Sequence, residues 1–290
     1  MSDDQGDRPP RRPDREATMA TILITGYRSG IGYETALAFG RRGDAVHATM
    51  RDPSVDHRLR DAVARESLPV VIRGLDVTDG TAIRDVVAGI VAERGDIDVL
   101  VNNAGIGFVE AIEEADEARA RLVWETNFWG PIHLCQAVLP HMRAQRAGVI
   151  VNLSTVGARF PGGGWLAMYA ATKQAISRMG ESLNAELVGT GVRVVAIEPG
   201  FFATEIYGDR RRASIDPASH YATALAQADD RVAAGIANGA NPAAVAHAIV
   251  AAVDDPTTPA RVLVGEDALA RWDEFRRALI KQWQAEQVSE

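Results

Sequence analysis

The sequence predicts an α/β protein, a doubly wound parallel sheet of about seven strands with helices on both faces. Two observations carry this. Seven short β-branched runs alternate with longer helical stretches, and crossovers of that length join parallel strands in a sheet that must be covered on both sides. A glycine-rich turn also lies between the first run and the first helix, where free N–H groups and the helix dipole favour an anion.

The strand runs are Thr21–Thr25, Ala45–Met50, Val70–Leu75, Ile97–Val101, Gly148–Leu153, Val192–Ile197 and Arg261–Val264. Helical periodicity covers Ile31–Arg42, His57–Glu66, Ala82–Arg94, Ala118–Arg146, Met168–Val188, Pro242–Val253 and Ala268–Gln287. Residues 1–18 hold three prolines and dense charge with almost nothing apolar. They are expected to form a disordered tail, with Met19 an alternative start. Residues 19–290 are expected to form a single domain, with 204–241 a substrate loop or lid and 268–287 a C-terminal helix.

At 290 residues with 47% apolar content the chain can bury a large core. Its net charge of -8 counts against nucleic acid or an anionic membrane as partner. No apolar run reaches the roughly 18 residues of a membrane span, and the N-terminal stretch lacks the apolar segment of a secretory signal. A cytoplasmic location is expected. Cys135 has no second cysteine to pair with, and His133, His141 and His220 are not spaced as a metal set, so no metal is expected. Trp272, Phe275, Leu279 and Trp283 recur at helical spacing and read as core or subunit contact.

The glycine turn reads Thr25-Gly26-Tyr27-Arg28-Ser29-Gly30-Ile31-Gly32. Its glycines permit a sharp turn and the close approach of a pyrophosphate. Further on, Tyr169 and Lys173 stand four residues apart on a predicted helix, one turn from each other on one face. A cation beside a phenol favours the phenolate and makes tyrosine a usable acid and base.

Taken with Asn102-Asn103-Ala104-Gly105, Asn127, Asn152-Leu153-Ser154-Thr155 and Pro199-Gly200, the glycine turn and the Tyr169–Lys173 pair resemble the short-chain dehydrogenase/reductase family. The resemblance spans about residues 20 to 265. It implies a Rossmann-like fold and an NAD(P)-dependent oxidoreductase acting on CH–OH or C=O groups.

By that resemblance Tyr169 exchanges the proton of the substrate oxygen, Lys173 lowers its pKa and holds the nicotinamide ribose, and Asn127 anchors a water behind the lysine; the lesser alternative for Asn127 is an ordinary amide satisfying helix backbone. The family's polarising hydroxyl is usually a second serine about thirteen residues before the tyrosine. Here the register from Asn152 selects Thr155, with Ser154 as fallback. The added length is assigned to the loop Pro161-Gly162-Gly163-Gly164.

The cofactor site is expected at Gly26, Arg28, Ser29, Gly30, Ile31 and Gly32. Arg51, Asp76, Val77, Asn103, Ala104, Gly105, Pro199, Gly200 and Thr204 complete it, with Tyr169 and Lys173. Met50 stands where an NAD-type acid would sit, and Arg51 can pair with a 2'-phosphate, so NADP(H) is favoured over NAD(H). Asp52 is a competing partner for Arg51. Asp76 could instead serve a helix N-terminus, and Thr204 could cap the next helix.

Phe108, Phe160, Trp165, Met168, Phe201, Phe202, Ile206 and Tyr207 are expected to face the nicotinamide and to favour a bulky apolar carbonyl or alcohol; the resemblance is strongest to members acting on steroids, retinoids or other ketones. A homodimer or homotetramer is implied, joined through the helices of Asn127 and Tyr169. The alternatives are a catalytically silent NADP-binding sensor or scaffold, and an epimerase or dehydratase of the same fold.

Overall fold

Strand Thr21–Thr25 (β1) is buried along its whole length, and its alternating side chains enter two different cores. Ile22 and Ile24 face one side, while Leu23 faces the other. That is the period-two signature of a strand covered on both faces. The computed structural model describes residues 19–160, 164–206 and 215–288. Residues 1–18, Pro161, Gly162, Gly163 and Tyr207 lie outside them.

The chain continues through α1 (Gly30–Arg42), β2 (Ala45–Met50), α2 (Arg58–Glu66), β3 (Val70–Gly74), α3 (Gly80–Arg94) and β4 (Val99–Asn102). Then come α4 (Glu117–Trp124), α5 (Gly130–Gln145), β5 (Gly148–Leu153), α6 (Ala167–Glu186) and β6 (Val192–Pro199). The last elements are α7 (Ala222–Ala237), α8 (Ala243–Asp254), β7 (Arg261–Val264) and α9 (Glu266–Val288). The seven strands form one parallel sheet in the order β3-β2-β1-β4-β5-β6-β7. Strand order reverses between β1 and β4, the place where open parallel sheets leave a crevice for ligands.

One core packs α1 and α8 against Ile24, Val101 and Val151; the other packs α3, α5 and α6 against Leu23, Leu100 and Ile150. Cys135 is buried in the second. A smaller apolar cluster joins Val109 and Ala111, after β4, to Leu225, Ala228 and Val232 of α7. Thus the 204–241 segment contains a helix that packs on the segment after β4.

The expected helix 118–146 is helical from Glu117 to Gln145, with a change of hydrogen-bond register inside it. A five-residue π turn, Glu125–Trp129, separates α4 from α5. The reason is legible at Pro131, which has no N–H for the carbonyl four residues back at Asn127. The ladder therefore widens there, and π turns of this kind recur at functional sites.

Candidate active site

The loop from β1 to α1 turns at Gly26, whose φ of +73° an L side chain rarely adopts. An added Cβ there would lie 2.7 Å from Ala104 Cα. At Gly32 it would collide with the Asn103 side chain and the Gly26 carbonyl. The glycines thus let the loop pack flat on the β4 segment. Asn103 Nδ2 ties the two by donating to the carbonyls of Thr25 and Gly26 at 2.8 Å. Thr25 Oγ1 accepts from the N–H groups of Asn103 and Ala104 at 3.1 Å.

Outside this loop opens a cleft of about 830 Å³, lined from the loop by Gly26, Arg28, Ser29 and Ile31. Arg51, Asp76 and Val77 line it from the ends of β2 and β3, and Asn103, Ala104, Gly105 and Thr204 from the other side. Gly30 and Gly32 shape the turn without lining the cleft. Ser29 precedes α1 with no side-chain capping bond, and the first turn of α1 has no acidic residue. That leaves N–H donors and the positive end of a dipole at the cleft wall. Among the described residues neither Arg28 nor Arg51 has a carboxylate within 4.0 Å. Asp52, the competing partner, is turned to Ser54 instead, accepting from its N–H at 3.0 Å and its hydroxyl at 2.6 Å. Donors, glycines and unpaired cations fit a dinucleotide. Asp76 makes a local turn with Thr78, accepting from its N–H at 2.9 Å, while the N-cap of α3 is Asp79. Asp76 is therefore not the helix cap. Among the described residues Thr204 caps no helix, and the next one begins at Ala222.

A second pocket, of about 590 Å³, adjoins the cleft and shares Ile31, Asn103, Thr204 and Ile206 with it. Ser154, Thr155, Tyr169, Lys173, Pro199 and Gly200 line it. Tyr169 and Lys173 project from the first turns of α6, whose first residue, Ala167, itself lines the pocket. Both are buried, at 9% and 3% exposure. The Thr155 hydroxyl lies beside the Tyr169 phenol and favours its phenolate. Ser154 does not share this place: its hydroxyl donates to the Lys173 carbonyl at 2.9 Å and accepts from Ser177 Oγ at 2.8 Å.

Lys173 Nζ donates to the Leu153 carbonyl at 2.7 Å and lies 5.9 Å from the centre of the Tyr169 ring. Burial pushes the Tyr169 phenol above its ordinary range and the Lys173 ammonium down to about 8. In both groups loss of hydration is the largest cause. Asn127, buried in the π turn, accepts from Ile106 N–H at 2.9 Å through Oδ1 and donates to the Ile106 carbonyl at 2.8 Å. It pins the loop after β4, not helix backbone. An added Cβ at Gly105 would sit 3.2 Å from Lys173 Nζ and 3.3 Å from Asn127 Oδ1, so the two side chains converge there.

Of the apolar side chains expected around the substrate, Phe201, Phe202 and Ile206 line the pocket. Phe160 stacks instead on Phe275, Trp165 on Tyr221, and Phe108 beneath Arg119; Met168 lies outside the lining. The aromatic stripe of α9 divides likewise: Trp272 and Phe275 pack toward Phe160, while Leu279 and Trp283 are exposed. Val109, Leu166, Val232 and Ile236 take the missing places. Their sequence signal is weak, because they come from separate elements brought together by the fold.

Glu198 went unmarked in the sequence. It is fully buried near the end of β6, 2.6 Å from both Arg159 and Arg261, and accepts from Ser177 Oγ at 3.2 Å. An acid inside the apolar run Val192–Pro199 was its available signal.

Residues 20–214 match the short chain dehydrogenase family. The 3-ketodihydrosphingosine reductase of Bacteroides thetaiotaomicron is 33% identical over 245 residues, covering 84% of this chain and 87% of that protein. Human retinol dehydrogenase 8 is 36% identical over 197 residues, covering 66% and 62%. The crystal structure of a short-chain dehydrogenase from Streptomyces avermitilis superposes with a TM-score of 0.80 at 34% identity, over 94% of this chain and 99% of that one. The chain belongs to the short-chain dehydrogenase/reductase family, oxidoreductases that act on CH–OH and C=O groups with a nicotinamide cofactor.

Proposed function

We propose that this chain is an NADP(H)-dependent reductase of ketones or aldehydes, running also in the reverse direction, with Tyr169, Thr155, Lys173 and Asn127 as its active site. One observation carries the reading: the Tyr169 and Thr155 hydroxyls are adjacent in an apolar-lined pocket that opens onto the glycine-loop cleft. The cofactor supplies or accepts hydride when bound.

The two hydroxyls receive the substrate oxygen, Thr155 donating a hydrogen bond and Tyr169 the proton. Thr155 supplies the same hydroxyl as serine with an extra methyl and a stiffer χ1. With an ammonium pKa of about 8, Lys173 can release or take up a proton near neutral pH. Asn127 fixes the Ile106 backbone, and so the wall beside Lys173. Preference for NADP(H) rests on Arg51 and Arg28, whose guanidiniums have no acidic partner among the described residues and suit a 2'-phosphate. The same reading gives a homo-oligomer joined through α4, α5 and α6, where Trp129 is exposed.

The relatives compared act by name on a ketosphingoid and a retinol, which supports an apolar body for the substrate of this chain. The test follows NADPH consumption against a panel of ketones and aldehydes, with NADH in parallel. Turnover that disappears in Tyr169→Phe is expected, and undiminished turnover in that variant would overturn the mechanism.

A further inference from the structure

The charged side chains that line the 590 Å³ pocket are Lys173, Arg231 and Arg271, and no carboxylate among the described residues lines it. The whole chain carries a net charge of -8, so a wall with cations alone runs against the average. Lys173 is committed to the Leu153 carbonyl. The two arginines are not committed to an acid. Among the described residues, neither Arg231 nor Arg271 has a carboxylate within 4.0 Å.

Nearby arginines behave differently. Arg159 and Arg261 hold Glu198 between them. Arg271 instead lies over the Phe201 ring, 5.1 Å from its centre. Such stacking orients a guanidinium and leaves its N–H edges free to donate. Arg231 stands on α7 next to Val232, whose side chain enters the apolar wall of the same pocket. Both arginines are exposed, whereas Tyr169 and Thr155 are withdrawn. The pocket therefore has a reacting end inside, an apolar middle, and two cations toward solvent that have no acidic partner among the described residues.

We infer that the substrate carries an oxyanion remote from its carbonyl, bound by Arg231 and Arg271. Its class is a carboxylate- or phosphate-bearing ketone with an apolar body between the two groups. Guanidiniums suit such a group because their donors match the paired oxygens of either anion. This deepens the reductase reading and rests on it for the carbonyl, while the anion site can be tested by binding alone.

The experiment uses the full chain with NADPH. Medium-chain methyl ketones are compared with keto acids of equal length, in which the far methyl group is a carboxylate, and with the corresponding keto alkyl phosphates. Both kcat/KM and calorimetric affinity are measured across a series of lengths. At the fitting length one anion is expected to be favoured over the neutral ketone by about tenfold or more, as charge-assisted hydrogen bonds allow. That ratio should fall toward one in the double variant Arg231→Gln, Arg271→Gln, which keeps both stems, and should shrink as salt is raised. Reduction of neutral ketones with no anion preference at any length would overturn the inference and leave the reductase intact. Arginine-dependent anion binding without turnover would uphold the anion site and count against the reductase. Absence of both preference and binding would overturn it.

Discussion

Glu198 and Arg159 meet at 2.6 Å with the carboxylate fully buried, and Arg261 closes on the same acid from β7. Arg159 follows Thr155 by one turn of chain, and Glu198 immediately precedes Pro199-Gly200. The ion pair therefore joins the two segments that flank the pocket, and Ser177 links it through Ser154 to the backbone of Lys173.

Removing one partner of a buried ion pair leaves the others uncompensated, which costs about 3–5 kcal/mol. Glu198→Ala is accordingly expected to lower the unfolding free energy by an amount in that range, read from urea melts. A loss below about 1 kcal/mol would mean that the arginines find other partners without cost.

The two hydroxyls after β5 have different surroundings and should respond differently. Thr155→Ala is expected to lower kcat by about 10²–10³, the usual effect of removing one donor to a developing oxyanion, with little loss of stability. Ser154→Ala leaves buried groups without partners and should cost about 1–3 kcal/mol in folding, with the smaller effect on rate. The reverse order in kcat would assign the polarising role to Ser154.

Arg51 has no acidic partner among the described residues and faces the cleft. Arg51→Ala should weaken NADPH by about 1.5–3 kcal/mol, the range for a hydrogen bond to a charged group, and leave NADH nearly unchanged. Equal losses for the two cofactors in a fluorescence titration would remove Arg51 from the 2'-phosphate.

Burial holds the Lys173 ammonium at about 8 in the folded chain, against about 10.4 when unfolded. Between those values the unfolded state binds more protons, so Lys173 makes stability rise with pH from about 8 to about 10, and its full penalty is present below that window. Lys173→Met should abolish this part of the slope. Parallel pH profiles of unfolding for the two proteins would show that Lys173 is not the source.

Much of the fold was legible because strands and helices declare themselves by local period. The runs at Thr21–Thr25, Ala45–Met50 and Gly148–Leu153 coincide with β1, β2 and β5, since each is a β-branched segment bounded by a turn. Helix 118–146 was legible as one helical stretch, but the break in its α ladder was not, because the apolar period continues through the π turn. The break depends on one missing N–H at Pro131 and on the amide of Asn127 reaching Ile106.

What the sequence determined by itself was the order of elements, the glycine turn and the spacing of Tyr169 and Lys173, all set within a few residues of chain. Tertiary structure alone decided that Thr155 faces the phenol while Ser154 turns away, that Asp52 turns to Ser54 and not to Arg51, and that Glu198 is shared by two arginines. It also decided that Arg231 and Arg271 meet Phe201 and Tyr169 around one pocket. These relations join side chains far apart in sequence, and their energies depend on burial and direction, which only packing supplies.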